Sequence, residues 1–133
     1  MIRAATFQAL GGFDERFFVY LEDLDLSLRA RRMGLLTRFV ASPPSFHLGG
    51  GVSRQVKAER LFYATRSRLL YGFKRLPAWQ AWTHAATALV CEPLARTVRA
   101  LLRRSWQVLR FTWRGCALVY RDLPALWRAR RWR

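Results

Sequence analysis

Gly11-Gly12-Phe13-Asp14-Glu15-Arg16-Phe17-Phe18-Val19-Tyr20-Leu21-Glu22-Asp23-Leu24-Asp25-Leu26-Ser27-Leu28-Arg29 holds five of the eight carboxylates of a 133-residue chain, set among aromatic rings. A carboxylate beside apolar rings loses hydration and binds its proton more tightly, which is how an aspartate becomes a general base near neutral pH. Asp14, Glu22 and Asp25 read equally as helix caps and first-turn acids favoured by the helix dipole. Upstream, Arg3 to Leu10 predicts a short helix stopped by Gly11-Gly12. From Leu21 the apolar positions 21, 24 and 28 follow helical spacing, Arg29, Arg31 and Arg32 crowd the last turns, and Gly34 supplies the cap. On such a helix residues 23 and 25 point about 200° apart, so Asp23-Leu24-Asp25 cannot grip one ion as an Asp-x-Asp motif.

Downstream, Leu35 to Ala41 alternates in bulky residues and predicts a strand, broken by Ser42-Pro43-Pro44. The triple glycine 49–51, between His47 and Ser53-Arg54, reads as a phosphate-facing loop; an ordinary connection explains the glycines equally well. Glu59 to Arg75 predicts a helix that Pro77 ends. Trp79 to Cys91 is a largely apolar run, too short to cross a bilayer and suited to a buried or interfacial helix. Leu94 to Trp113 predicts one basic amphipathic helix, with Leu94, Val98, Leu101, Leu102 and Leu109 on one face and Arg96, Arg99, Arg103, Arg104 and Arg110 over the rest. Leu126 to Arg133 is expected to fray in water and to settle on a membrane surface.

The formal charge is +16 and unevenly placed. Residues 1–92 carry 13 basic and 7 acidic side chains, and residues 93–133 carry 11 and 1. Every cation of the tail is Arg, and all six Trp fall at or after Trp79, a mixture that suits anionic surfaces. Nucleic acid is the weaker partner, because a nucleic-acid face has no reason to hold the acids of residues 14–25. Cys91 and Cys116 form no CxxC and no zinc pattern, so reduced thiols are expected. With no leader-like apolar run and no uncharged stretch of membrane-spanning length, a cytoplasmic chain, peripheral at the inner face of the cell membrane, is expected.

The order of a Gly-Gly-Phe-Asp-Glu turn, an aromatic stretch, a Glu-Asp pair, an Arg-bearing helix and a downstream His over residues 1–75 resembles the acceptor-binding, C-terminal half of family 2 glycosyltransferases of the rhamnosyltransferase and galactofuranosyltransferase type. That resemblance implies a GT-A-like fold and an inverting transfer from a nucleotide-sugar donor to a glycan or lipid-linked acceptor in cell-surface polysaccharide synthesis. It implies that Asp23 deprotonates the acceptor hydroxyl, that Glu22 supports it, and that His47 completes a divalent metal site, Mg or Mn. Gly12, Phe13, Asp14, Phe18 and Tyr20 would line the substrate site, and Ser53 and Arg54 would meet the diphosphate; core packing accounts for the aromatics equally well. In one respect the chain departs from the pattern. The family's metal-binding Asp-x-Asp lies upstream in the nucleotide-binding half, and no such strand or Gly-rich segment precedes Gly11.

The expected architecture is therefore an α/β fragment over residues 1–55 with few strands, followed by a mainly helical region. Three segments are expected: an acceptor-side catalytic part (1–56), a helical extension (57–92) and a basic amphipathic tail on the membrane surface (93–133). Without donor-half residues, the alternatives are an inactive remnant of such an enzyme or a basic membrane-surface binding module.

Overall fold

The computed structural model describes residues 2–38 and 56–129. Six α-helices follow in order: α1 (Ala4–Ala9), α2 (Glu22–Arg32), α3 (Lys57–Arg75), α4 (Ala78–Ala86), α5 (Glu92–Leu102) and α6 (Trp106–Ala129). A π-helical turn, Thr87–Cys91, joins α4 to α5.

The glycine pair ends α1 as its sequence requires: Gly11 and Gly12 take φ of 75° and 70°, and their amides donate to the carbonyls of Gln8 and Phe7 at 2.9 Å. Helix α2 has Glu22, Asp23 and Asp25 in its first turn and Arg29, Arg31 and Arg32 in its last, both favoured by the helix dipole. Helix α3 stops where the residue before Pro77 is pushed to extended backbone.

Leu69 and Leu70 of α3, Ala85 of α4, Ala88 of the π-helical turn, and Val119 and Leu126 of α6 form the buried core, joined from the acidic stretch by Phe17. Helices α3 and α6 approach closely at Gly115. A Cβ added there would lie 2.9 Å from both the Ala58 carbonyl oxygen and Leu61 Cδ2. A backbone oxygen cannot step aside, so Gly115→Val is expected to lower the unfolding free energy by about 1–3 kcal/mol in a urea titration. Unchanged or higher stability would show that α3 and α6 do not depend on this contact.

Pro93 lies in the first turn of α5, where its missing N–H leaves the Leu89 carbonyl without its α-helical donor. The chain widens into the π-helical turn just before it, and the Tyr120 hydroxyl donates to the Leu89 carbonyl at 2.7 Å. Both cysteines are free thiols, and burial pushes the Cys116 thiol up. No helix of the described residues is long and apolar enough to cross a membrane.

The structure corrects the expected architecture. The α/β character assigned to residues 1–55 is not found: among the described residues there is no strand, and the first 38 hold two helices and irregular turns. Leu35 to Arg38, expected to open a strand, is irregular with Leu36 77% exposed, and residues 39–41 lie outside the described residues. Alternating bulky residues make a strand only where another backbone offers ladder partners, and among the described residues none does so for Leu35 to Arg38. The single helix expected over Leu94 to Trp113 is two helices, broken at residues 103–105. The described part of the tail is helical through Ala129 rather than frayed, because Leu126 is buried in the core.

Candidate functional site

Charge fastens the acidic stretch to α3. The Asp25 side chain has no solvent exposure; it accepts from Arg29 Nε at 3.0 Å and Arg75 Nε at 2.9 Å and pairs with Lys74 Nζ at 2.7 Å. Burial alone would raise its pKa, and hydrogen bonds from Lys74 and Arg75 reverse that, holding it below the ordinary carboxylate range. Lys74 also reaches Asp14 at 2.6 Å, and Arg16 grips Asp14 in a fork at 2.8 and 2.6 Å. The Arg16 guanidinium holds the Asp14 carboxyl well below its usual range. Three side chains complete the joint. Arg29 donates to the carbonyls of Leu10 and, at 2.7 Å, Gly12. Arg66 donates to the Arg16 carbonyl at 2.7 Å while pairing with Asp122 of α6 at 2.8 Å. Ser67 Oγ donates to the Val19 carbonyl at 2.6 Å.

Glu22 and Asp23 stand apart from this network at the start of α2. No cation among the described residues pairs with either. Asp23 is exposed, its Oδ1 accepting only the Leu24 amide at 2.7 Å. Glu22 Oε2 is buried and has no hydrogen-bond partner among the described residues. An unpartnered buried carboxylate oxygen is unfavourable, of order 1–3 kcal/mol or more. The pair is presented by a backbone in an uncommon state. Tyr20 and Leu21 both have φ of 68°, in the left-handed region that costs a non-glycine residue of order 1–2 kcal/mol. The Ser67 bond to Val19 and the packing of Leu21 against the core hold this turn in place. Asp23 and Asp25 do face opposite ways, one to solvent and one into the α3 cations, as helical spacing requires.

The other expected substrate residues divide. Phe18 is 73% exposed, its ring 4.8 Å from that of Tyr63, and Phe13 is half-exposed with its ring edge-on to Phe7 at 5.2 Å. Tyr20 lies in the left-handed turn. Gly12 and Asp14 are engaged by Arg29 and by Arg16 with Lys74. Phe17 is part of the core, with Lys74 Nζ 5.5 Å from its ring centre. His47, Ser53 and Arg54 lie outside the described residues. Among the described residues no three His, Cys, Asp or Glu side chains converge as metal ligands. Sequence reasoning missed the residues that hold the site: Arg29, Arg66, Ser67, Lys74 and Arg75. Arg29, four residues after Asp25 on one helix, left a signal in the sequence. The others act across 48 to 60 residues and left none.

Neither a family model nor a solved structure matches the chain. Over 109 residues, 79% of its length, it is 31% identical to the N-acetylglucosaminyl-diphospho-decaprenol L-rhamnosyltransferase of Mycobacterium tuberculosis strains CDC 1551 / Oshkosh and ATCC 25618 / H37Rv. The chain resembles a glycosyltransferase. It spans 35% of the length of these curated relatives. The likeness agrees in kind with the resemblance carried by residues 1–75.

Proposed function

We propose that this chain forms the acceptor side of an inverting glycosyltransferase that adds a sugar to a lipid-linked glycan in cell-surface polysaccharide synthesis. The observation that carries this reading is the separation of the acidic stretch into two kinds of carboxylate. Asp14 and Asp25 are neutralised by Arg and Lys, whereas among the described residues no cation pairs with Glu22 or Asp23 and the buried Glu22 Oε2 has no hydrogen-bond partner.

In the proposed reaction the acceptor hydroxyl oxygen bonds to the anomeric carbon from the face opposite the leaving nucleotide diphosphate. The carbon–oxygen bond to the diphosphate breaks with its electron pair, and Asp23 takes the hydroxyl proton. Glu22 orients the acceptor or shares its proton. Phe13, Phe18 and Tyr20 offer apolar area to a sugar ring, and Ser53 and Arg54 are assigned to the diphosphate. A divalent cation, Mg or Mn, with His47 among its ligands, would offset charge developing on that diphosphate. The unpartnered Glu22 oxygen is a hard donor of the kind such a cation takes. The nucleotide-sugar site is assigned to another segment or chain. A lipid-linked acceptor would bring the reaction to a membrane surface, and we assign it to the cytoplasmic face.

A chimera tests the reading. This chain would replace the matching 109 residues of the mycobacterial relative, and rhamnosyl transfer to N-acetylglucosaminyl-diphospho-decaprenol would be measured. Transfer above background is expected. A folded chimera that binds the nucleotide sugar and transfers nothing would favour an inactive remnant.

A further inference from the structure

The turn between α5 and α6 carries features that the sugar chemistry does not use. Helix α5 ends with the Arg104 amide donating to the Leu101 carbonyl and the Ser105 amide to the Ala100 carbonyl, each at 2.9 Å. This places Arg104 at φ 49°, in the left-handed position after a helix where glycine is the ordinary choice. A cation stands there at a backbone cost. Around it, Leu102 is 81%, Trp106 71% and Leu101 52% exposed. No carboxylate among the described residues pairs with Arg99, Arg103, Arg104 or Arg110, whereas Arg66, Arg68, Arg75 and Arg96 are all paired.

The apolar exposure extends from the turn along both helices. On α5, Leu94 and Val98 continue it at 55% and 56% exposure. On α6, Trp106, Trp113, Tyr120 and Trp127 recur every seven residues, a spacing that drifts by only about 20° per repeat and so forms one stripe. The far end of that stripe meets α4 and the π-helical turn, through the Tyr120 bond to Leu89 and the edge-on contact of Trp127 with Trp82 at 5.1 Å. Its near end, Trp106, shares a notch with Leu101 and Arg104.

We propose that the α5–α6 turn docks on an anionic lipid monolayer, with Leu102 and Trp106 at the acyl boundary and Arg99, Arg103, Arg104 and Arg110 at the phosphates. Leucine and tryptophan gain from leaving water, the indole ring favours the interface, and arginine reaches phosphate while its stem stays in the apolar layer. A nucleic acid would satisfy the four cations and leave Leu101 and Leu102 in water. A second copy of the chain would bring like charge to the same place. The proposal deepens the placement at the membrane given above and rests on that placement, independently of Asp23.

The test is co-sedimentation of the full chain with vesicles of equal parts phosphatidylglycerol and phosphatidylcholine. Leu102→Glu with Trp106→Glu, both at exposed positions, is expected to weaken binding at least about tenfold while helicity by circular dichroism is retained. Arg104→Gly is expected to weaken it roughly fivefold while the urea midpoint holds or rises, because glycine suits the backbone there. Parental affinity in either variant, or equal binding of the parent chain to pure phosphatidylcholine vesicles, overturns the proposal. It is also overturned if the double variant leaves vesicle binding intact and abolishes binding to duplex DNA or self-association. Loss of vesicle binding in a chimera that still transfers sugar to a soluble acceptor would support the docking surface and leave the catalytic reading untouched.

Discussion

Asp25→Asn is expected to lower the free energy of unfolding by about 3–5 kcal/mol, read from urea titration at neutral pH. The substitution keeps the shape of the side chain and removes its charge, so Arg29, Lys74 and Arg75 are left facing a neutral amide at a position with no solvent exposure. Small domains have only about 5–15 kcal/mol to lose. The pH dependence provides a second reading. Asp25 has a folded pKa below its ordinary 3.8, and Asp14 is lowered as well. For a depressed carboxylate the stabilisation is fully present above the unfolded pKa and is lost as pH falls toward the folded one. The parent should therefore lose stability below about pH 4, and the variant should show a shallower acid limb. A loss under about 1 kcal/mol, the range of a surface pair, would mean that these contacts do not fasten the joint.

Asp23→Asn should behave in the opposite way, sparing the fold and removing the chemistry. Its side chain is exposed and bonds only the neighbouring amide, so stability should change within about 0.5 kcal/mol. In the active chimera, kcat for transfer should fall by about 10²–10⁴-fold, the usual contribution of a positioned general base, with nucleotide-sugar affinity nearly unchanged. A variant retaining a third or more of parental turnover would remove Asp23 from the role of base. Comparing the two substitutions is informative because they lie two residues apart: one should register in unfolding and the other in turnover.

How much of this was legible in the sequence depends on the range of the interactions. Local signals served well: the glycine pair after α1, the acids and arginines at the two ends of α2, and Pro77 at the end of α3 each act within a turn or two. The opposite facing of Asp23 and Asp25 followed from helical period alone. The expected strand at Leu35 failed because alternation states a preference that only a neighbouring strand can realise. The break at residues 103–105 was hidden for another reason, since arginine occupies the position where glycine would have announced a stop. For the candidate site, the family resemblance, not the residue pattern, singled out Glu22 and Asp23. The sequence could not show which acids would be neutralised, because Lys74 and Arg75 lie 50 to 60 residues away and resemble other cations of a basic helix.

Lys74, shared between Asp14 and Asp25, has a consequence for the order in which the molecule comes apart. Helices α3 to α6 are held together largely by an apolar core, whereas residues 10–29 reach that core mainly through Phe17 and Leu21 and are otherwise fastened by ion pairs and the Ser67 bond to Val19. Acid removes the charge of Asp14 and Asp25 and leaves the apolar core in place. The amphipathic helices should thus persist as a unit after the acidic stretch has let go, and amide hydrogens of α2 should exchange through a partial opening that those of α3 and α6 do not share.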